Sequence, residues 1–408
     1  MIQKLFVKNV KGRRTAMKKA ICIGLMGLNF SSDNLGCAAL AMSFYVELIK
    51  ILRELDMKAN IYVIGSKSDF CTNQAPEYPV TFQEYHLLDI RTLYRAFLGL
   101  KNCDIVFDFT EGDSFSDIYG RAVFYKSAIL KALIEKTSTR LILGPQTYGP
   151  FEKKDCLKIS SYIINHAFRI YSRDERSRTY LHEMGITKDI QTVTDVAFRL
   201  PCTRVAHLAE AKKINIGINI SGLLWEDQQS GKNRLGLVTD YVAYSCQVVN
   251  ALIRDPRYKI YLIPHAGMDL KEKGSDYAAC YEMKQKYDQC VLLPGICDPI
   301  AVKSSLAQMD IVIAARMHAS IGAFSCGVFT IPFAYSRKFQ GYYSALNYPV
   351  MIDGKSEPTD IAVEKTLSYI RQYQNYTAQI QESHRLAQNK LHVFYEQIFS
   401  LLKSWKEC

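Results

Sequence analysis

The sequence predicts an α/β protein made of two doubly wound domains, each a parallel sheet with helices on both faces. Three observations lead to this prediction. Short apolar runs alternate with longer amphipathic stretches, which is the pattern of strands that alternate with helices. The pattern stops after Pro201, where the chain turns polar over residues 203–213, and then restarts. With 408 residues, the chain is also too long for one ordinary hydrophobic core.

The first predicted domain covers residues 20–200. Its apolar runs have the length of buried strands, and the stretches between them have helical spacing. The predicted strands are 20–26, 60–65, 103–109, 139–143, 168–172 and 190–194. The predicted helices are 37–55, 86–100, 120–136, 155–167 and 174–184.

A linker is expected at 201–213 and a second domain at 214–374. The last residues, 375–408, are expected to form one long helix whose apolar stripe suits packing back on the first domain. The predicted strands of the second domain are 214–220, 258–263, 290–293, 310–314 and 328–333. Its predicted helices are 238–254, 274–287, 298–308, 317–326 and 357–372.

The formal net charge is +11, from 51 Lys and Arg against 40 Asp and Glu. A positive protein suits nucleic acid, anionic lipid surfaces or small anionic substrates as partners. The basic residues are dispersed, without a compact stripe that includes aromatic residues, so nucleic acid is not expected. Residues 1–19 hold basic and no acidic side chains. We expect them to be a disordered basic leader, either a transit-like or membrane-surface arm or a stretch ahead of a natural start at Met17.

The twelve cysteines are scattered, with no C-x-x-C pair and no Cys/His group at zinc spacing. Several lie in apolar runs, where a reduced thiol behaves as a small hydrophobe. We therefore expect a reducing, cytoplasmic location, no metal and no resident cofactor. The longest apolar stretch, 311–335, is interrupted by Arg316 and His318, so no membrane span is expected. The positive charge still permits peripheral contact with the inner face of a membrane.

The segment Ala315-Arg316-Met317-His318-Ala319 carries the strongest indication of chemistry. It follows an apolar run, so both polar side chains come at the carboxyl end of a predicted strand, where parallel sheets bind ligands. A permanent cation beside a titratable acid suits a substrate with a phosphate or carboxylate that must also receive a proton. The alternative is a buried Arg ion pair with a structural His.

Further polar residues also follow predicted strands. Arg173 follows the fifth strand, where a guanidinium gives bidentate contact to a carboxylate or phosphate. A helix cap by its neighbour Asp174 is the structural alternative. His265 ends a strand of the second domain and is as consistent with a structural role as with a functional one. Lys338 adds positive charge after the last predicted strand of that domain.

Polar residues of the first domain indicate where a sugar would be held. Asn34 lies in the turn before the first long helix, whose N-terminal N–H groups attract anions. Asp113 and Asp117 follow the third strand, and one helical turn would place both on one face. Gln146 lies in a turn rich in Gly and Pro, which would fix its amide. Helix capping or turn formation is the alternative for all of these residues.

Taken in order, these motifs resemble the polysaccharide pyruvyl transferase family. The family implies a GT-B-like fold with two Rossmann-like domains that face each other across a cleft. It also implies phosphoenolpyruvate as donor and a saccharide acceptor, on a cell-surface polysaccharide or a lipid-linked precursor, with a pyruvyl ketal as product. The matching motifs are Asn34-x-Gly36, Gly112-Asp113-x-Phe-x-Asp117, Gly144-x-Gln146-x-x-Gly-Pro150, Ser172-Arg173-Asp-x-x-Ser177, Thr194-Asp195-Val-Ala-Phe198, Asn219-x-Ser221, Pro264-His265, Arg316-Met-His318 and Tyr335-Ser-x-Lys338.

The resemblance implies roles for individual residues. Arg316, His318 and Arg173 match family positions that engage the donor, and His318 is expected to protonate its methylene carbon. The second domain is therefore expected to hold the donor, and the first domain the acceptor. The remaining expected donor contacts are Lys338 and His265, and the expected acceptor contacts are Asn34, Asp113, Asp117 and Gln146.

The chain departs from the family pattern on the acceptor side. Cys37 replaces an Asp that often follows the Gly of the first motif, and Thr110-Glu111 precede Gly112 where the family often has a run of glycines. Two other functions stay open. One is a nucleotide-sugar glycosyltransferase or epimerase on the same fold. The other is a polysaccharide-binding module, which the Arg/His cluster disfavours because neutral sugars need no such charge.

Overall fold

The structure is a computed structural model that describes residues 20–203 and 213–407, which form two parallel sheets. The predicted leader (1–19) and most of the predicted linker (204–212) lie outside the described residues. Each sheet is interleaved along the chain with helices, so the predicted class of two doubly wound α/β domains is confirmed.

The first sheet has seven strands in the order β3-β2-β1-β4-β5-β6-β7, all parallel. Its strands are β1 Ile21–Met26, β2 Ala59–Ile64, β3 Val80–Gln83, β4 Ile105–Asp108, β5 Arg140–Gln146, β6 Arg169–Ser172 and β7 Ile190–Thr192. Its helices are α1 Leu35–Glu54, α2 Asp69–Gln74, α3 Ile90–Lys101, α4 Arg121–Ile134, α5 Lys154–His166 and α6 Glu175–Glu183.

The second sheet has six strands in the order β10-β9-β8-β11-β12-β13, again all parallel. Its strands are β8 Ile214–Asn219, β9 Tyr258–Leu262, β10 Val291–Leu292, β11 Ile311–Ala314, β12 Phe329–Ala334 and β13 Ile352–Asp353. Its helices are α7 Gly222–Gln229, α8 Tyr241–Ile253, α9 Asp276–Lys286, α10 Pro299–Leu306, α11 Met317–Ser325, α12 Arg337–Ser344 and α13 Thr359–Arg371, and the chain continues into α14, Thr377–Glu407.

In each sheet the strand order reverses beside the first strand of the domain. The reversal lies between β1 and β4 in the first domain and between β8 and β11 in the second. Crossover connections leave in opposite directions at such a point, which opens a crevice at the carboxyl ends of the strands. The loops after β4 and β11 are therefore placed to hold a ligand.

Successive residues of the central strands face opposite layers of core. In β4, Ile105 and Phe107 belong to the cluster that packs against α1, whereas Val106 belongs to a separate cluster beneath α4 and α5. Strand side chains alternate between the two faces of a sheet, so both faces of this one are covered.

The structure also contains short elements that the sequence pattern did not predict, namely α2, α7, α12, β3 and β13. β3 and β13 are edge strands, and β13 has two residues. Runs this short are too brief for a period of two to stand out from the surrounding loop.

Helix α1 has the length and apolarity of a membrane span, with a mean hydropathy of 1.7. The structure uses it as a core helix, because 89% of that apolar window is buried within the protein. Its Phe44 packs on Phe107 and Phe109 at the centre of the first domain.

Helix α14 contacts both domains. Near its start, His384 Nε2 lies 3.0 Å from the Ser325 carbonyl oxygen of the second domain. Farther along, Phe394 packs against Phe44 and Tyr171 of the first domain. The predicted terminal helix thus extends from the second domain across the first.

The two domains also meet directly, both along the seam between α1 and the second sheet and near the connection that follows Leu200. Asn34 forms an antiparallel bridge with Ala266. Leu35 is buried in a cluster of second-domain residues that includes Ile263. Lys303 of α10 reaches the carbonyls of Phe198 (2.9 Å) and Leu200 (2.7 Å) at the end of the first domain.

Candidate active site

Arg316 lies directly after β11 and caps the start of α11. Its Nη2 donates to Asp276 (2.8 Å) and to the Gly274 carbonyl (3.1 Å), and its Nε donates to the same carboxylate (3.0 Å). Its backbone N–H donates to the Asn219 side chain (2.9 Å). Burial opposes the charge of Arg316, but Asp276 outweighs burial and raises its pKa. The guanidinium is therefore a fixed cation, and its Nη1 takes part in none of these contacts.

His318 lies in the first turn of α11, between two groups of the first domain. Its Nε2 is 3.5 Å from the carboxylate of Asp195, which is fully buried. Asp195 also accepts from Arg173 Nη1 (2.8 Å) and from the backbone N–H of Ala197 (2.9 Å). Burial raises the pKa of Asp195, but His318 and Arg173 outweigh it and lower that pKa overall. Asp195 is thus a permanent anion that faces the Nε2 atom of His318.

The other face of the His318 ring lies against α1. A Cβ atom on Gly36 would stand 2.2 Å from His318 Nδ1, far inside van der Waals contact. Gly36 therefore gives the imidazole its place at the seam, because any side chain there would push the ring away.

Lys338, in the first turn of α12, forms an ion pair with Asp113 of the first domain. Lys338 also donates to the Tyr119 hydroxyl (3.0 Å). Burial raises the pKa of Asp113, but Lys338, Arg173 and His318 outweigh it and lower that pKa overall. Because Asp113 and Lys338 belong to different domains, this ion pair joins the domains near His318.

His265 and Tyr335 complete the second-domain side of the site. Both side chains lie close enough to Arg316 for its charge to affect them. Burial, with repulsion from His318 and Arg316, lowers the pKa of His265 to about 3. His265 is thus a neutral imidazole at physiological pH.

Comparison of the sequence with models of protein families identifies the family to which the chain belongs. The sequence model of polysaccharide pyruvyl transferases matches residues 34–337, well over half of the chain. The chain belongs to the polysaccharide pyruvyl transferase family. The match begins at Asn34 and extends to the residue before Lys338, so it covers all the other residues expected to contact a donor. A search among curated proteins found no match.

Solved structures with similar folds are GT-B-like sugar enzymes. Anabaena HepE, in complex with UDP and glucose, has a TM-score of 0.58 at 12% identity, over 94% of this chain and 100% of that one. The UDP-GlcNAc 2-epimerase of Neisseria meningitidis, bound to UDP-GlcNAc, has a TM-score of 0.57 at 8% identity, over 93% and 100%. The lipopolysaccharide outer core galactosyltransferase WaaB, in its apo form, has a TM-score of 0.50 at 10% identity, over 91% and 99%. These likenesses establish the fold.

The structure gathers five of the residues predicted from the sequence at the seam between the two domains: Arg316, His318, His265, Lys338 and Asp113. Arg173 lies beneath them and is 2% exposed. Its Nε donates to Thr147 Oγ1 (2.8 Å) and its Nη1 to Asp195. Arg173 therefore holds Asp195 beside His318, and its direct contact with a donor stays a prediction.

Three residues expected to contact the acceptor have structural roles instead. The Asn34 side chain accepts from Gly36 N (3.1 Å) as the N-cap of α1. Asp117 is buried and accepts from the backbone of Glu152 (3.0 and 2.9 Å) and Lys153 (2.8 Å), so it fixes a turn.

Gln146 is fully buried, and its amide contacts Asp108 within the first sheet. The reason for all these differences is local. The stretch after β4 is not a helix beyond its short 3-10 turn, so Asp113 and Asp117 share no helical face. Asn34 and Asp117 accept from nearby backbone N–H groups, whereas the Gln146 amide donates to Asp108.

The structure also adds residues that the sequence reasoning missed. Asp276, at the start of α9, has the position of an ordinary first-turn acid, and nothing local connects it to Arg316. Asp195 lies in a motif of the family resemblance, but its role depends on contact with His318, which is far away in sequence. Glu111 is one of several carboxylates that follow the third predicted strand, a group that could orient sugar hydroxyls or act as a general base. It also stands where the family often has glycine.

Proposed function

We propose that the protein transfers a pyruvyl group from phosphoenolpyruvate to two hydroxyls of a saccharide, on a cell-surface polysaccharide or its precursor. The observation that carries this proposal is the convergence of Arg316, His318 and Lys338 on one seam. All of them follow strands of the second sheet, and the buried Asp195 and Asp276 hold the first two in position.

The charges of this cluster suit the donor. Phosphoenolpyruvate carries a carboxylate and a phosphate, and an Arg with a Lys supplies fixed positive charge for both. In a site closed off from water, such preorganised charge contributes most to stabilising the transition state. Arg173 acts indirectly, because it fixes the carboxylate of Asp195 and this carboxylate orients His318.

In the proposed reaction, His318 as imidazolium donates a proton to the methylene carbon, which becomes a methyl group. The adjacent carbon becomes oxocarbenium-like, and a sugar hydroxyl forms a C–O bond to it. The C–O bond to phosphate breaks, and a second hydroxyl closes the ketal. The two hydroxyls release two protons, of which one restores His318 and one leaves with hydrogen phosphate, so the balance is complete.

The proposal is tested by incubation of the protein with phosphoenolpyruvate and cell-envelope glycans, with inorganic phosphate and product mass as readouts. The expected result is stoichiometric phosphate release and a glycan that has gained one pyruvyl ketal. A protein that binds phosphoenolpyruvate but forms no pyruvylated glycan with the whole panel would overturn it.

A second candidate is a nucleotide-sugar enzyme, favoured by the fold shared with HepE in its complex with UDP and glucose. The two functions differ in donor. Thermal-shift titrations with phosphoenolpyruvate, UDP-glucose and UDP-GlcNAc separate them, because a ligand that binds only the folded state raises its stability. We expect stabilisation by phosphoenolpyruvate, whereas stabilisation by a UDP-sugar alone would favour the second candidate.

A further inference from the structure

A cavity of about 440 Å³ lies in the first domain, at the carboxyl ends of β1 to β4. Its volume falls in the range of roughly 300–1,000 Å³ that is common for small-molecule sites. None of the expected acceptor residues lines it. Neither Arg316 nor His318 lines this cavity. A turn at its edge, however, approaches the residues that support His318.

The cavity wall has the chemistry of a sugar site. Glu84 and Glu111 supply carboxylates, Lys126 a cation, and Ser66, Ser114 and Ser127 hydroxyls. Sugar hydroxyls donate to carboxylates and accept from Lys and Ser, so a ring with several hydroxyls can satisfy this mixed wall. Val123 of α4 provides an apolar portion and is 41% exposed.

Glu111 is held in an unusual backbone conformation at the edge of this cavity. Thr110 (φ 41°) and Glu111 (φ 53°) both have positive φ, which is uncommon for residues with a side chain. Hydrogen bonds fix the turn, from Glu111 N to the Gly27 carbonyl (2.7 Å) and from Lys131 Nζ to Thr110 Oγ1 (2.5 Å). Strained conformations of this kind persist where the surroundings impose them, and they concentrate at functional sites.

Glu111 also borders the donor cluster. A Cβ on its neighbour Gly112 would lie 3.2 Å from Arg173 Nη1. Cys37 Sγ lies 3.9 Å from the Glu111 carbonyl, and its pKa is raised to about 12 by burial and by the charges of Glu111 and Asp113. The Glu111 turn therefore borders the cavity on one side and on the other approaches Arg173, which holds Asp195 beside His318.

We propose that this cavity binds the sugar ring of the acceptor and that Glu111 is the base for its attacking hydroxyl. The proposal rests on the proposed pyruvyl transfer. As the hydroxyl oxygen forms its bond to the oxocarbenium carbon, its O–H bond breaks and the proton passes to the Glu111 carboxylate. Glu111 then gives this proton to the departing phosphate, and the second hydroxyl restores the proton of His318.

Two variants test the proposal on the full chain. Val123→Trp fills the cavity from an exposed position, and Val393→Trp is its matched control, since Val393 is a helical valine that is 43% exposed on α14. Steady-state kinetics with p-nitrophenyl hexosides and N-acetylhexosaminides should give an acceptor KM at least about tenfold higher for Val123→Trp, because the pocket that holds the ring is filled. The phosphoenolpyruvate KM should stay unchanged, as in the control.

Glu111→Gln removes the base but keeps the shape of the side chain. Its kcat should fall by about 10² or more, the usual contribution of a general base. Phosphoenolpyruvate binding by calorimetry should match the wild-type protein, which also shows that the variant is folded. The acid limb of the kcat–pH profile should disappear, an effect that a merely structural Glu would not produce.

The outcomes separate this inference from the function on which it rests. The wild-type protein could pyruvylate a glycoside while Val123→Trp and Glu111→Gln behave as Val393→Trp does. In that case the assignment of the cavity and of Glu111 to the acceptor is wrong, and the proposed pyruvyl transfer stands. If the wild-type protein binds phosphoenolpyruvate but releases no phosphate with any glycoside, the proposed function is wrong and this inference is lost with it.

Discussion

His318 has Asp195 on one side and Gly36 on the other, so two different segments of the first domain set its position. Replacement by Gln keeps a polar group there but removes the acid. We expect His318→Gln to lower kcat about 10²–10⁴-fold, the range of general acid catalysis. The affinity for phosphoenolpyruvate should change little, because Arg316 and Lys338 remain.

Single-turnover kinetics and calorimetry measure the two quantities separately. His392→Gln is the control, since His392 is an exposed residue of α14. Full activity of His318→Gln on a verified acceptor would contradict the assignment of the acid.

His265 makes stability depend on pH in a defined window. Its pKa is lowered from 6.5 to about 3. Between these pH values, the imidazole therefore binds a proton in the unfolded chain but not in the folded protein. Between these values, each unit of falling pH costs up to about 1.4 kcal/mol of folding free energy. We expect His265→Gln to remove this slope between about pH 6 and 4.5, above the range in which most carboxylates titrate. Urea unfolding of both proteins across that range measures the free energy of unfolding at each pH. If this free energy fell equally with pH in both proteins, the burial of a neutral imidazole would be contradicted.

The sequence revealed Arg316 and His318 because both follow one strand within a few residues. It could not reveal Asp276 or Asp195 as their partners, because an ion pair between distant segments leaves no local pattern. For Asp117, a local sequence pattern suggested a position that the structure does not show. Its spacing from Asp113 suggested a shared face, whereas its carboxylate binds the backbone of Glu152 and Lys153.

At the scale of the elements, the first turn of α1 packs against the His318 side chain of α11. Ala normally stabilises a helix relative to Gly by up to about 1 kcal/mol. Gly36→Ala should nevertheless reduce kcat/KM about a hundredfold, because its Cβ displaces the His318 ring and a shift of about 1 Å can cost that much.

The matched control is Gly322→Ala in α11, where the new Cβ would meet Leu306 at an ordinary 3.4 Å. Steady-state kinetics should show normal activity for this control. Normal activity in Gly36→Ala as well would mean that the ring tolerates displacement.

Long elements were more predictable than short ones. The central strands and most of the long helices follow from periodicity, because burial of a strand or of one helix face repeats over many residues. β3 and β13 lie at sheet edges and are too short for such a repeat, and α7 and α12 are single short helices in loops. The strand order, with its reversal beside β1 and β8, comes from contacts between distant segments.

At the scale of the whole molecule, α14 joins the domains through Phe394. This side chain is fully buried and packs against Phe44 and Tyr171. Phe394→Ala should lower the free energy of unfolding by about 3–5 kcal/mol, through lost burial and the cavity that remains. Guanidinium unfolding measures the loss, and Val393→Ala, at a 43% exposed position on the same helix, should change stability by less than about 1 kcal/mol.

The chain passes between its domains twice, once after Leu200 and once along α14, and both passages line one cavity that includes Cys202 and His392. On the far side of the seam, the domains meet through the Asn34–Ala266 bridge and the Lys338–Asp113 ion pair. Residues beside both crossings thus lie together at one edge, and the ion pair at the other edge acts as a latch between the domains. Such a latch weakens as salt rises, so substrate exchange should become faster with ionic strength even where donor affinity declines.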